Sequence, residues 1–170
     1  MLVDSYIIGL GGTFDHLHEG HRRLLEVAFS IGEKVIIGLA KGELLSGKKF
    51  RSALQPFETR RETLLKYATS RGREDDMEIV ALTDPFGPAI TSPQINMHVS
   101  SEETIDMARK INIERKKRGL EPLILVVVPM VLDKSGSRFR STTIREQIIK
   151  DGNKTPVSQE RINEKRRVDT

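Results

Sequence analysis

Three of the four histidines in this 170-residue chain fall within the stretch GGTFDHLHEGHRRLL, residues 11–25. His18 and His21 are three apart, so a helix beginning near Glu19 places both imidazoles on neighbouring positions of its first turn. That end of a helix carries unpaired N–H groups and partial positive charge, which suits an anion. Gly20 between the histidines allows close backbone approach, and Thr13 in the preceding turn offers a hydroxyl and an amide to a phosphate. A His-rich helix cap without any ligand is the plainer reading of the same spacing. A zinc site needs a third ligand, for which only His98 or a carboxylate is available.

Two other phosphate motifs fail on context. Gly9 and Gly11 begin a dinucleotide fingerprint, but its third glycine position holds Phe14, whose ring would spoil close helix–strand packing. GELLSGKK (residues 42–49) keeps P-loop spacing up to Lys48, yet Lys49 stands where a hydroxyl should bind magnesium and open a helix. Late in the chain, Ser141 and Thr142 precede a capping-box pattern with Thr143 as N-cap and Glu146 three residues on. Such a helix start can also hold phosphates through hydroxyls and amides, with Arg145 reaching them or pairing with a carboxylate.

The elements that must position these residues alternate. SYIIGL (5–10), KVIIGLA (34–40), MEIVAL (77–82) and LILVVV (123–128) read as buried strands. Between and after them, helical spacing covers HRRLLEVAFSIG, PFETRRETLLKYATSRG, a long charged SSEETIDMARKINIERKKRG with Ser100 and Glu103 in capping-box spacing, and STTIREQIIKDG. Near-continuous apolar strands separated by single helices predict an α/β fold: a doubly wound parallel sheet with helices on both faces, binding its ligand at the carboxyl ends of the strands. DPFGP (84–88) is a rigid turn placed to shape a substrate pocket.

Composition narrows the function classes. With no Cys, disulfides, thiolate zinc sites and cysteine nucleophiles are excluded. The longest apolar run, LILVVVPMVL, is too short to span a bilayer, and no signal segment opens the chain, so a cytoplasmic location without membrane contact is expected. The net charge of +4 favours anionic partners. A basic nucleic-acid-binding domain fits that charge but lacks interleaved aromatics, since two Tyr and six Phe serve the whole chain, so no specific nucleic acid is expected.

GTFDHLHEGH resembles the H-x-G-H signature of the nucleotidyltransferase superfamily related to class I aminoacyl-tRNA synthetases. FRSTTIREQI is similar to that superfamily's late phosphate loop, S-S-T-x-I-R. Together with LQPFETRRETL, LTDPFGPAIT and VSSEETIDMARKINIERKKRGLEPL, these segments resemble the archaeal, eukaryote-like phosphopantetheine adenylyltransferase family, from about Tyr6 to Gly152. The resemblance implies a Rossmann-like nucleotidyltransferase domain over residues 1–152, with 153–170 as a polar basic tail. It also implies AMP transfer from ATP, with Mg2+ as cofactor, to 4'-phosphopantetheine, giving dephospho-CoA and pyrophosphate.

Residue roles follow from the same resemblance. His18 would act at the α-phosphate, Gly12, Thr13 and His21 on the ATP phosphates, and Lys48 or Lys49 on the reacting phosphates, with spacing to PFETR favouring Lys49. Arg140, Ser141, Thr142, Thr143 and Arg145 would complete the phosphate site, although Arg140 replaces a small hydroxyl residue and Thr143 a frequent Arg. Thr13, Asp84, Ser101, Glu103, Asn112 and Arg115 would serve the acceptor. The STT sequence is also similar to cytidylyltransferases, so a cytidylyltransferase or an FAD synthase is the alternative enzyme. A homo-oligomer is left open.

Overall fold

The computed structural model describes residues 5–153. Five parallel strands form one sheet: β1 (Ile7–Gly12), β2 (Lys34–Ala40), β3 (Met77–Leu82), β4 (Met97–Ser101) and β5 (Ile124–Val128), in the spatial order β3-β2-β1-β4-β5. Helix α1 (Glu19–Ile31) joins β1 to β2, α2 (Phe57–Ser70) joins β2 to β3, α3 (Ile105–Lys117) joins β4 to β5, and α4 (Ser141–Gly152) follows the sheet. From β1 the chain steps outward to β2 and β3, then returns to the other side of β1 for β4 and β5. With right-handed crossovers, this reversal puts α1 and α2 on one face and α3 on the other.

Side-chain alternation along the strands agrees. Ile8, Leu10, Val35, Ile37, Leu39, Met97 and Val99 pack with Leu25, Ala28 and Phe29 of α1 and Leu64, Tyr67 and Ala68 of α2. The opposite face carries a smaller cluster of Ala89, Ile90, Ile95, Ile111 and Leu123, with Ile7, Ile36 and Leu125 packed against it. The doubly wound sheet expected from the sequence is therefore present, and its strand order reverses between β1 and β4, the place where such sheets bind ligands.

Four local expectations differ. β4 was not anticipated: the segment assigned to the start of a long helix at Ser100 instead ends a central strand. MHVSS lacks an apolar run because only Met97 and Val99 face the larger cluster, while His98 and Ser100 alternate to the other side. The expected Ser100–Glu103 capping box is absent; α3 begins at Ile105 with Thr104 as N-cap, and the Thr104 hydroxyl accepts a bond from the Ser101 amide at 3.1 Å. Helix α4 starts at Ser141 with Arg140 as N-cap, so Thr143 lies inside the first turn rather than capping it. The β1 strand also runs two residues further than its apolar run, because Gly11 and Gly12 pair with Gly38 and Leu39. Of the expected tail, residues 154–170 lie outside the described residues.

Candidate active site

After β1 the chain turns sharply into α1, and Phe14 and His16 adopt positive φ angles of 47° and 46°. Such angles are costly for residues other than glycine and persist when surrounding contacts over-determine them. Here they do. The Phe14 ring is buried in the core, and Arg60 donates from Nη1 to the carbonyls of Thr13 (2.7 Å) and Ala40 (3.0 Å). His16 donates its amide to Gln55 Oε1 at 2.8 Å and sets its ring Nε2 against the Ala53 carbonyl at 2.8 Å. Asp15, 0 % exposed, accepts from the Gln55 amide (2.9 Å) and from Arg145 Nη1 (2.6 Å), while its carbonyl accepts from Ser141 Oγ (2.6 Å). One buried carboxylate thus ties the histidine turn to the 50s loop and to the start of α4.

His18 is the N-cap of α1, its Nδ1 accepting from the Gly20 amide at 3.1 Å. The His18 amide in turn points at His21 Nδ1 at a long 3.5 Å, and the two rings stack with centroids 3.8 Å apart. With Nδ1 of each ring accepting, the neutral tautomer carries its proton on Nε2. Burial lowers the His18 pKa, opposed by the Glu19 and Asp15 carboxylates. Burial, helped by His18, brings His21 down to about 3. Both imidazoles are therefore neutral N–H donors near pH 7, seated where the α1 dipole is positive.

They border a cavity of about 710 Å³ over the carboxyl ends of the strands. Gly12, Thr13, Lys48, Ser141 and Thr142 line it beside them, and Ser101, Glu103 and Arg140 form part of its wall. Glu103 is paired with Arg140 at 2.6 Å and with Arg138 at 3.0 Å. Arg145 also borders the cavity, but its guanidinium is engaged by Asp15, by the Lys49 carbonyl (3.0 Å) and by Thr142 Oγ1 (3.2 Å). It ties the start of α4 to the histidine turn and to the loop at Lys49.

Five expected site residues lie off the lining. Lys49, exposed like Lys48, contributes its carbonyl to Arg145 and lies off the lining, whereas Lys48 borders the cavity. Thr143 is exposed on the first turn of α4. Asp84 accepts from the Phe86 and Gly87 amides at 2.9 and 2.8 Å, bonds that lower its pKa, and thereby presents Pro85, Phe86 and Pro88 to the cavity in its place. Asn112 exchanges two bonds with the backbone of Leu123, and Arg115, 1 % exposed, donates to the carbonyls of Ala89, Ser92, Ile95 and Glu121. Both hold α3 to neighbouring loops; their polar atoms are already satisfied by backbone. The lysine distinction is testable: Lys48→Ala is expected to lower kcat/KM by roughly 10- to 100-fold, the scale of a charge-assisted contact, and Lys49→Ala by less than about threefold. Equal losses would contradict it.

Asp15, Gln55 and Arg60 were missed as site-building residues, and His98 and Ser100 were weighed only as a metal ligand and a helix cap. Asp15 had a signal: a carboxylate inside a turn suited to phosphate would repel the ligand unless buried and paired. His98 does not complete a zinc site, since among the described residues no three His, Asp or Glu side chains converge. Burial holds its imidazole down to about 4. The unfolded chain, with an ordinary value of 6.5, binds the extra proton first as pH falls, so this contribution to stability is full above pH 6.5 and lost towards pH 4. His98→Gln should therefore weaken the acid dependence of urea unfolding by about 2 kcal/mol between pH 7.5 and 4.5. Identical dependence in both proteins would contradict the assignment.

No helix among the described residues is long and apolar enough to cross a membrane. The cytidylyltransferase-like family model matches residues 10–147. Phosphopantetheine adenylyltransferase of Methanopyrus kandleri is 39% identical over 141 residues, covering 82% of this chain and 88% of that protein. The protein of the same name from Methanothermobacter thermautotrophicus is 37% identical over 139 residues, covering 82% of each. A solved structure, described as a protein with unknown function from Archaeoglobus fulgidus, superposes with a TM-score of 0.64 at 32% identity, covering 72% of this chain and 88% of its own. The chain belongs to the cytidylyltransferase-like family, among its phosphopantetheine adenylyltransferases.

Proposed function

We propose that this protein is a cytoplasmic enzyme that transfers AMP from MgATP to 4'-phosphopantetheine, forming dephospho-CoA and pyrophosphate. The observation that carries the reading is the pair of neutral, stacked imidazoles at the start of α1, sharing one cavity with Lys48 and the start of α4. A phosphate oxygen of the acceptor attacks the α-phosphorus, the bond from that phosphorus to the β-bridging oxygen breaks, and pyrophosphate leaves with the electron pair. The nucleophile is already an anion, so no base is required; the site must align two repelling phosphates and stabilise developing charge.

The residues divide that work. His18 Nε2–H donates to a non-bridging oxygen of the α-phosphate, where charge builds in the transition state. His21 and Thr13 hold neighbouring phosphate oxygens, and Lys48 offsets the repulsion between acceptor and nucleotide. No side chain caps α4, so its first amides, with the hydroxyl proton of Thr142, are available to the leaving pyrophosphate, while the Ser141 hydroxyl is engaged by the Asp15 carbonyl. Mg2+ enters as part of the nucleotide substrate and neutralises triphosphate charge; the buried Asp15 carboxylate is engaged by Arg145 and Gln55.

The reading is tested by pyrophosphate release from ATP or CTP, screened against phosphopantetheine, FMN, nicotinamide mononucleotide and glycerol phosphate. ATP with phosphopantetheine should be favoured over every other pair. Preference for CTP with glycerol phosphate would make the cytidylyltransferase likeness of residues 141–143 the better guide.

A further inference from the structure

The cavity floor on the α3 side of the sheet is built largely of glycine over the carboxyl-terminal parts of β1 and β2. Gly9 and Gly11 of β1 and Gly38 of β2 fall on this face, and neighbouring side chains close over them. A Cβ on Gly9 would stand 3.2 Å from Ile95 Cγ2 and 3.6 Å from His98 Nδ1; one on Gly38 would stand 3.2 Å from Leu82 Cδ1. His98 lies beside Gly9 in the strand register, and Ser100 follows two residues on, pointing to the same face. Pro88, Ala89, Met107 and Ile111 make the surrounding wall apolar.

Within this apolar setting, His98 is 8 % and Ser100 3 % exposed. Among the described residues, neither His98 Nδ1 nor Ser100 Oγ has a hydrogen-bond partner. Leaving such buried groups unmade costs free energy that a ligand carrying matching groups would recover. Two unpartnered polar atoms thus lie on residues two apart along one strand, both bordering the same cavity.

We propose that His98 and Ser100 form a polar seat for the uncharged, amide-bearing arm of the acceptor, and so help to select phosphopantetheine over shorter phosphorylated compounds. The inference rests on the functional reading above. Phosphates are drawn to the part of the cavity bordered by His18, His21 and Lys48. The buried imidazole of His98 is neutral, so it suits a neutral partner. Its ring and the Ser100 hydroxyl can each donate or accept, which matches the N–H and C=O groups of an amide. An arm anchored here would leave its terminal phosphate at the histidine turn, in line with the nucleotide. Both residues are binding and positioning groups and touch no reacting atom.

The test is steady-state kinetics of the full chain carrying His98→Leu, Ser100→Ala or both, with His98→Gln as the conservative variant and thermal unfolding as a check of folding. The single substitutions should each raise KM for phosphopantetheine roughly tenfold, the scale of one buried hydrogen bond, and the double more. KM for ATP and kcat should stay within about twofold, and His98→Gln should recover most of the loss. The inhibition constant of 4-phosphopantoate, which keeps the phosphate end and lacks both amides, should not move. If His98→Leu does not fold, Ser100→Ala and His98→Gln carry the comparison. An acceptor KM within twofold of wild type in Ser100→Ala and the double variant overturns the seat. A rise in ATP KM instead assigns the pair to the nucleotide and overturns it equally. Wild-type protein that makes no product from phosphopantetheine overturns the functional reading and the seat together, whereas an active enzyme with an unmoved acceptor KM overturns the seat alone.

Discussion

Replacing His18 with alanine is expected to lower kcat by about two to three orders of magnitude, while KM for ATP rises less than about fivefold. The ring's Nδ1 is occupied by the Gly20 amide, which fixes the proton on Nε2 at the cavity edge. A donor so placed gains most when charge concentrates on the α-phosphate oxygens, hence in the transition state rather than in the bound ground state. The substitution also removes the N-cap of α1, at a cost of about 1 kcal/mol. His18→Asn separates the two effects. Asparagine can accept the Gly20 bond and restore the cap, but its shorter side chain does not reach the phosphate. Stability should return in this variant and turnover should not. Kinetics at saturating magnesium, run beside urea unfolding, decide the point; a pure rise in ATP KM would contradict the assigned role.

The second large effect concerns stability. Asp15→Ala should destabilise the protein by about 3–5 kcal/mol, measured by urea unfolding at pH 7. The Arg145 guanidinium is only 3 % exposed at its side chain and would be left as a buried charge without its carboxylate. The same change strips the Gln55 amide of its acceptor and loosens the loop opposite the histidine turn. The Asp15 carbonyl that holds Ser141 belongs to the same strained turn, so the folded fraction should also turn over more slowly. Asp15→Asn retains an acceptor for Gln55 yet leaves the charge of Arg145 uncompensated, and should lose nearly as much. A loss below about 1 kcal/mol in both variants would show that the buried pair does not anchor the site.

Much of this architecture was legible in the amino-acid sequence, and the gaps have physical causes. β2 matches its apolar run because both its faces are covered, β3 keeps its run through Met77, Ile79 and Leu82 although it is an edge strand with Glu78 and Ala81 exposed, and α1 matches because its apolar stripe and Gly32 mark its length. β4 was invisible because its second face is polar and borders a cavity instead of a core. Charged residues misled for a related reason. Arg115 sits on a helix crowded with charge, and spacing alone does not reveal that its guanidinium is buried against four carbonyls. The lysine doublet could not be resolved by counting, since the loop between β2 and α2 contains two short 3-10 turns, Gly42–Leu45 and Arg51–Ala53, that set which side chain meets the cavity. The tertiary partners of Asp15 lie 40 and 130 residues away, beyond any local pattern.

The claim that unites these observations is nucleophilic attack by an acceptor phosphate on the α-phosphorus of ATP. Isotopic labelling tests it most directly. With ATP carrying label at the α-phosphate, incubation with 4'-phosphopantetheine and the full chain should move the label into dephospho-CoA and leave pyrophosphate unlabelled. With label at the γ-phosphate, all of it should appear in pyrophosphate, one for each dephospho-CoA formed. Label from the γ-phosphate in the acceptor product, or orthophosphate released in place of pyrophosphate, would contradict the account.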